Sequence, residues 1–208
     1  LERARRALAS PSQMVELLQS YPGWLAFLRF KADTVVRTYA ELRAALTAEA
    51  GAAYALGANG WPPPFSRSSG MDYRRLAHIC TCLRPKLFTF HWSVLPRWYG
   101  QTLVGWNPCL PERHVLDALV ACLGLDDDIA SRTFAHYRIP APQDDHPARP
   151  ETWHDKLVEV VDQVAGRAPV YAYAHSYRSV AQWKRMVSVV RDSPVDGMWV
   201  QRYDYLSD

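Results

Sequence analysis

Apolar and polar residues alternate along this chain with two periods, which predict helices and buried strands in turn. Short apolar runs with the length of a strand lie at residues 52–59, 86–92, 169–177 and 197–203. Longer segments with apolar residues three or four positions apart predict helices at residues 24–50, 72–83, 152–164 and 178–191. Because helices connect successive strands, the strands should pair in parallel through right-handed crossovers. The pattern therefore predicts an α/β fold with four parallel strands and flanking helices.

The predicted elements form a single domain, residues 1–208, in which two regions contain no predicted strand. Residues 1–50 form a helical lead-in, and residues 93–150 form a long insert after the second strand. A connection of this length inside a compact domain more often has a function than serves only to join two elements. The chain begins with Leu1 rather than Met and stops at Asp208, about where a helix should follow the last strand. We therefore expect both ends to be cut from a longer protein.

Composition excludes two classes of partner. Apolar residues make up 49% of the 208 residues and charged residues 22%, which is ordinary for a globular domain. The net charge of +3 is too small and too scattered to indicate nucleic-acid binding. The longest apolar runs are far shorter than the ~20 residues that span a membrane. We therefore expect neither nucleic acid nor membrane as a partner.

No sequence motif indicates a metal or a cofactor. The four cysteines make no CxxC pair, and we interpret them as ordinary buried thiols. These cysteines are Cys80, Cys82, Cys109 and Cys122. The seven histidines show no HExxH spacing, and no strand is followed by a Gly-rich phosphate loop. The sequence therefore predicts no metal site and no cofactor.

The two-residue period of a strand assigns its residues to two sides of the sheet. The side that faces the helices should be apolar, and it includes Ala58, Phe88, Phe90, Val170, Ala172, Ala174, Met198 and Val200. The opposite side includes Gly57, Asn59, Leu87, Thr89, His91, Tyr171, Tyr173, His175, Trp199, Gln201 and Tyr203. This second set becomes more polar toward the carboxyl end of each strand.

Four polar residues should gather at the carboxyl ends of the four strands: Asn59, His91, His175 and Gln201. Barrels and open α/β sheets bind their ligands at this edge. Each residue alone could equally have a structural role at the end of a strand. Aromatic residues are frequent nearby, with eight Trp and eleven Tyr in the chain, and they could pack in the core or bind a sugar ring.

Three segments resemble glycoside-hydrolase-like (β/α)8 barrels, which occur in many uncharacterised bacterial proteins. The segment Gly-Met-Trp-Val-Gln-Arg-Tyr-Asp-Tyr-Leu-Ser at residues 197–207 resembles their last strand. Residues 24–46 resemble the helix after their fourth strand, and Asn-Gly-Trp-Pro-Pro at residues 59–63 resembles the end of their fifth strand. The resemblance spans nearly the whole chain and implies a partial (β/α)8 barrel, the C-terminal half.

The resemblance implies a glycoside hydrolase with a cleft for a carbohydrate ligand. The residues expected to line this cleft are Asn59, Trp61, His91, Trp92, Tyr173, His175, Gln201 and Asp204. Asp204 stands where the barrels are expected to have a small residue, so it is either a chance substitution or an added carboxylate. Such barrels usually take one catalytic carboxylate from the fourth strand, which would precede Leu1. We therefore name no catalytic pair and expect the chain to be inactive by itself.

Two other functions agree with the same pattern. The chain could be a non-catalytic carbohydrate- or protein-binding module that self-associates through open sheet edges. It could also be a different α/β enzyme with an open, doubly wound sheet, although the missing phosphate loop argues against this class.

Overall fold

A parallel sheet of four strands forms the centre of the chain, as the sequence predicts. The computed structural model describes residues 10–123, 125, 133–139, 141, 144, 148–176 and 179–201. In these residues the strands are β1 (Gly57–Gly60), β2 (Cys82–Phe88), β3 (Tyr171–His175) and β4 (Gly197–Gln201). They lie in the order β1-β2-β3-β4, and every neighbouring pair is parallel. The prediction of a mixed α/β fold with flanking helices is confirmed.

Helices precede, connect and flank the strands. In chain order they are α1 (Pro11–Ser20), α2 (Pro22–Ala50), α3 (Phe65–Ser69), α4 (Tyr73–Leu76), α5 (Leu95–Trp106), α6 (Glu112–Leu123), α7 (Pro150–Val164) and α8 (Val180–Arg191). Short 3-10 turns lie at Phe90–Ser93 and Phe134–His136. Proline in the first turn begins α1, α2, α5 and α7, where its missing N–H removes no helical hydrogen bond. The Ser179 hydroxyl caps α8 by accepting from the Gln182 amide.

The connecting helices pack on one side of the sheet. Ala58, Leu83 and Val170 are buried in one cluster with side chains of α4 and α7. Ala172 and Ala174 are fully buried in a second cluster with side chains of α7 and α8. Phe88 meets Trp153 of α7 edge-on, with ring centres 5.2 Å apart. The helix-facing sides assigned to the third strand from the sequence are thus confirmed.

The second strand begins earlier than the sequence predicts, and the helix predicted over residues 72–83 is wrong beyond Leu76. Leu76, Ile79, Cys80 and Leu83 match a helical stripe, but only Tyr73–Leu76 is helical. The Thr81 hydroxyl donates to the Leu56 carbonyl and accepts from the Leu56 amide. This exchange aligns residue 81 beside β1, so the chain continues as a strand.

Pro85 lies inside β2, although proline is rare in the middle of a sheet. The pairing of β2 with β3 runs from a bridge at Leu83–Val170 to the pair Lys86–Tyr173 and then shifts register before Phe88. Pro85, which has no N–H, falls in the gap between the first two pairs. The register shift also brings Leu87 into the helix-side core beside Phe88, so its predicted position on the opposite side is wrong.

The other strand bounds differ less. The first strand is Gly57–Gly60 rather than 52–59, because residues 52–54 form a turn after α2. The third is Tyr171–His175, shorter than the predicted 169–177. The fourth begins at Gly197 as predicted, and its predicted end lies outside the described residues.

The long helix α2 lies at the side of this core and buries none of its residues fully. Val35, Val36 and Tyr39 pack against the cluster that contains Ala58. Its N-terminal half exposes Trp24, Phe27 and Phe30 by 54%, 55% and 63%. Within the described ranges, none of the helices has the length and apolar character that crossing a bilayer requires.

Candidate functional site

The side of the sheet opposite the helices carries polar and aromatic side chains, and we call it the open face. Its residues are Asn59, Cys82, Arg84, Lys86, Tyr171, Tyr173, His175, Trp199 and Gln201. Most of them are half-buried or exposed, whereas their neighbours along β2 and β3 are buried. The open face is therefore the surface of the sheet that a ligand can reach.

Two cations lie over aromatic rings on this face. Arg84 and Lys86 are two residues apart in β2, so both side chains project to the same side. The Arg84 guanidinium carbon lies 4.4 Å from the centre of the Trp199 ring. The Lys86 ammonium nitrogen lies 5.7 Å from the centre of the Tyr173 ring. Both distances are within the range of cation–π attraction, which orients the cations across β3 and β4.

Gly57 makes room for the Arg84 side chain. A Cβ atom at Gly57 would lie 2.5 Å from Arg84 Nη2 and 2.9 Å from the Cys82 sulfur. The guanidinium therefore lies directly against the backbone of β1. Asn59, two residues further along β1, is the register partner of Arg84.

An aromatic and imidazole cluster lies at the carboxyl ends of the strands. The His91 and His175 rings are 6.1 Å apart between centres, and Trp61 lies 5.7 Å from His91. The ring of Trp98 in α5, which is 48% exposed, lies 6.4 Å from the His91 ring between centres. The edge at which parallel sheets bind ligands is thus lined by flat rings and ring nitrogens.

Tyr173 and Gln201 join this cluster to the middle of the sheet. The Tyr173 hydroxyl donates to the Gln201 side-chain oxygen, and the Tyr173 ring lies 5.7 Å from the His175 ring. The Gln201 carbonyl accepts a hydrogen bond from the Ser176 amide at 3.2 Å. These contacts hold the ends of β3 and β4 together and fix the orientation of the phenol ring.

The environment of His91 favours its neutral form. Burial lowers the pKa of His91, and the positive charge of Lys86 lowers this pKa further. A neutral imidazole has one donor and one acceptor nitrogen. The Nδ1 atoms of His91 and His175 are both buried, so neither ring presents this nitrogen to a ligand.

The predicted site residues fall into three groups. Trp61, His91, His175, Tyr173 and Gln201 are brought together at the carboxyl end. Asn59 shares the open face but is exposed beside Arg84, and Asp204 lies outside the described residues. Trp92 is fully buried in the core, where its indole N–H donates to the Lys86 carbonyl at 3.1 Å. Its ring therefore packs beneath the ring of Trp61, 6.0 Å away between centres, and offers no surface to a ligand.

Sequence reasoning did not name Arg84, Lys86, Trp98 or Trp199 as site residues. Arg84 was hidden because it fell outside the predicted strand 86–92. Lys86 lay in that strand but shares the parity of Phe88, which faces the helices because the register shifts between the two residues. Trp98 lies in the insert, where no strand pattern could assign a side. Trp199 was assigned to the correct side of the fourth strand, and its 49% exposure is the signal that makes it a candidate.

None of the open-face residues carries a carboxylate. Asp144, in the insert, accepts from the Ala141 amide at 2.9 Å and from Arg138 Nη2 at 3.3 Å, so it braces its own loop. In the part of the chain that the structure describes, no three His, Cys, Asp or Glu side chains are grouped to hold a metal ion. The arrangement can bind rings and hydroxyl groups, but it lacks a paired acid and base.

Comparison with known proteins identifies no relative: no protein-family model matches the chain, and neither a curated protein nor a solved structure matches it significantly.

Proposed function

We propose that this chain is part of a glycoside-hydrolase-like (β/α)8 barrel and lines a carbohydrate-binding cleft at the carboxyl ends of its strands. Sequential order of parallel strands, with the connecting helices on one side, is the arrangement of consecutive units in such a barrel. The open face would then be the side that faces the barrel interior. Ligands of these barrels bind at the carboxyl ends of the strands, where the aromatic and imidazole cluster lies.

The cluster of Trp61, His91, Trp98 and His175 is the observation that carries this proposal. Sugar rings have apolar C–H faces and a rim of hydroxyl groups. Indole rings provide flat apolar surfaces for the faces, and the imidazoles can bond hydroxyl groups of the rim through Nε2, since both Nδ1 atoms are buried. Trp61 and Trp98 lie 5.7 Å and 6.4 Å from His91, so one saccharide unit can contact both kinds of group.

The proposed role is binding rather than hydrolysis by this chain alone. Retaining and inverting glycosidases use two carboxyl groups, roughly 5 Å or 6.5–9.5 Å apart. The open-face residues include no carboxylate, and Asp204 is the one carboxylate that the sequence nominates for the rim. We expect no turnover of aryl glycosides by this chain, and robust turnover would contradict the incomplete catalytic set.

Two tryptophans on the same helix test the cleft. Trp98 and Trp106 both lie on α5 and are 48% and 76% exposed. The ring of Trp98 contacts the ring of His91, and Trp106 serves as the control. The chain is screened on an array of neutral and acidic oligosaccharides, and the dissociation constant of the best ligand is measured by calorimetry. We expect Trp98→Ala to weaken binding about tenfold, the effect of losing roughly 1.4 kcal/mol of ring contact. Trp106→Ala should leave binding unchanged, and equal losses in both variants would contradict the cleft.

Open sheet edges support the alternative function, a binding module that self-associates. In the described residues, β1 and β4 each pair with one strand only, so each has an unpaired edge. Light scattering after size exclusion distinguishes the two functions. A stable dimer that binds no saccharide on the array would favour the module over the barrel.

A further inference from the structure

The open face has two positive charges that no carboxylate of the described residues balances. Neither Arg84 nor Lys86 has a carboxylate oxygen within 4.0 Å in the described part of the chain, and none of the open-face residues is acidic. The Arg84 Nε atom is buried and makes no hydrogen bond within the described structure. Both side chains are half-buried. A half-buried cation without a partner is costly, because it has lost part of its hydration without gaining a counter-charge.

The positions of the two cations match a negatively charged sugar. Arg84 and Lys86 lie one side-chain repeat apart on β2 and lean over Trp199 and Tyr173. A saccharide that lies along the open face could contact these rings while its charged group meets the cations. An Arg guanidinium binds a carboxylate through two parallel hydrogen bonds, and Lys adds a point charge.

We propose that the saccharide bound by this face is acidic and carries a carboxylate, as in an oligosaccharide of uronic acids. This inference rests on the proposed carbohydrate-binding function and specifies its ligand class. His91 and His175 contact the hydroxyl groups at the carboxyl end of the sheet. Lys86 and Arg84 bind the carboxylate, closer to the amino ends of the strands than the two histidines.

The test compares each uronate oligosaccharide with its methyl ester, which has nearly the same shape but no charge. The array includes galacturonate, glucuronate and mannuronate oligomers, their esters and neutral oligosaccharides. We expect the acid to bind about tenfold more tightly than its ester, as for loss of a charge-assisted hydrogen bond. The preference should shrink as salt is raised, because the cations are only half-buried.

A matched pair of lysine variants assigns the preference to the open face. Lys86→Met keeps the apolar stem and should abolish the preference of the acid over the ester. Lys184→Met removes an exposed lysine on α8 and should leave it unchanged. The comparison of acid and ester on the unaltered chain does not depend on the folding of either variant.

The outcomes separate this inference from the function on which it rests. Equal binding of acids, esters and neutral oligosaccharides would overturn the acidic ligand and keep the carbohydrate cleft. A preference for acids that Lys86→Met leaves intact would assign the charge recognition elsewhere and also overturn the inference. The absence of binding to any oligosaccharide would overturn both the ligand class and the proposed function.

Discussion

The two sides of the sheet are built from alternate residues of the same strands, yet they differ in burial and chemistry. On the helix-covered side, Leu83, Ala172 and Ala174 are 0% exposed. On the open face, Arg84 and Lys86 are half-buried and Trp199 is 49% exposed. Because a strand turns successive side chains to opposite sides, stability and binding can reside on different residues one position apart. Substitutions on the two sides should therefore have separable effects.

The largest effect should come from the covered side. Leu157 of α7 is 0% exposed, and Leu157→Ala should lower the free energy of unfolding by about 2–5 kcal/mol through lost burial and a cavity. Trp199→Ala on the open face should cost only about 1 kcal/mol, the scale of an exposed cation–π contact with Arg84. Urea unfolding measures both values. Comparable losses would mean that the open face is also packed as a core.

A carboxylate at the start of β4 should have the next effect. The Asp196 side chain accepts a hydrogen bond from the buried Val170 amide at 2.8 Å, and the Asp196 amide donates to the Val170 carbonyl at 2.9 Å. Asp196→Ala leaves the Val170 N–H unpaired and should cost about 1–3 kcal/mol. Asp196→Asn keeps an acceptor oxygen and should cost less. Equal losses in the two variants, again in urea, would argue against this hydrogen bond.

Stability should also depend on pH through His91, at the rim of the open face. Burial and the charge of Lys86 lower its pKa in the folded chain, so the unfolded chain takes up a proton more readily. Stability should therefore fall as pH decreases through the range below about 6.5, the ordinary pKa of histidine. Melting temperatures at pH 7.5 and 5.5 measure this fall, and His91→Gln should reduce it.

The control for this pH effect is His78→Gln, which replaces an exposed histidine after α4. It should leave the fall in melting temperature as it is in the unaltered chain. A fall that His91→Gln does not change would assign the acid sensitivity to other groups.

The reactivity of single cysteine thiols should show the smallest difference between the two sides of the sheet. Cys80 is buried on the helix-covered side, where burial raises the pKa of its thiol to about 11, and Cys82 is half-buried on the open face. The thiolate is the reactive form, so iodoacetamide should modify Cys82 in the folded protein and Cys80 only after unfolding. Peptide mass spectrometry reads both sites. Exposed Cys109, which the sequence had suggested to be buried, should react fastest and serves as the internal standard.

The sequence predicted the sheet and the sides of β3 because those features follow from local patterns. Along β3 and the residue before it, every second residue is a small apolar one: Val170, Ala172 and Ala174. A period of two residues is typical of a strand and not of a helix. His91, His175 and Gln201 could be grouped for the same reason. Parallel strands bring their carboxyl ends to one edge, whatever the details of packing.

The start of β2 could not be predicted from local patterns. Leu76, Ile79 and Leu83 satisfy a helical period as well as they satisfy a loop and a strand. The hydrogen bonds between Thr81 and Leu56, which are far apart in sequence, decide between them. This error concealed Arg84, and the register shift between Lys86 and Phe88 concealed Lys86. The cationic part of the site therefore could not be predicted, although the imidazole part could.

The chain provides its own reporters for the most direct test of the cleft. Each tryptophan has one indole N–H signal in a nitrogen–proton NMR spectrum, and single Trp→Phe variants assign the signals. Trp61, Trp98 and Trp199 lie at the proposed cleft, whereas Trp92 and Trp153 are 0% and 3% exposed in the core. Trp24 and Trp106 lie on α2 and α5 as exposed controls.

The decisive measurement is a titration of the chain with the uronate oligosaccharide that binds best on the array, followed through these indole signals. Saturable shifts are expected for Trp61, Trp98 and Trp199, with a common dissociation constant, and unchanged signals for Trp153 in the core and for the exposed controls Trp24 and Trp106. Shifts confined to Trp24 or Trp106, or no shift of any indole at saturating ligand, would contradict a carbohydrate cleft on the open face.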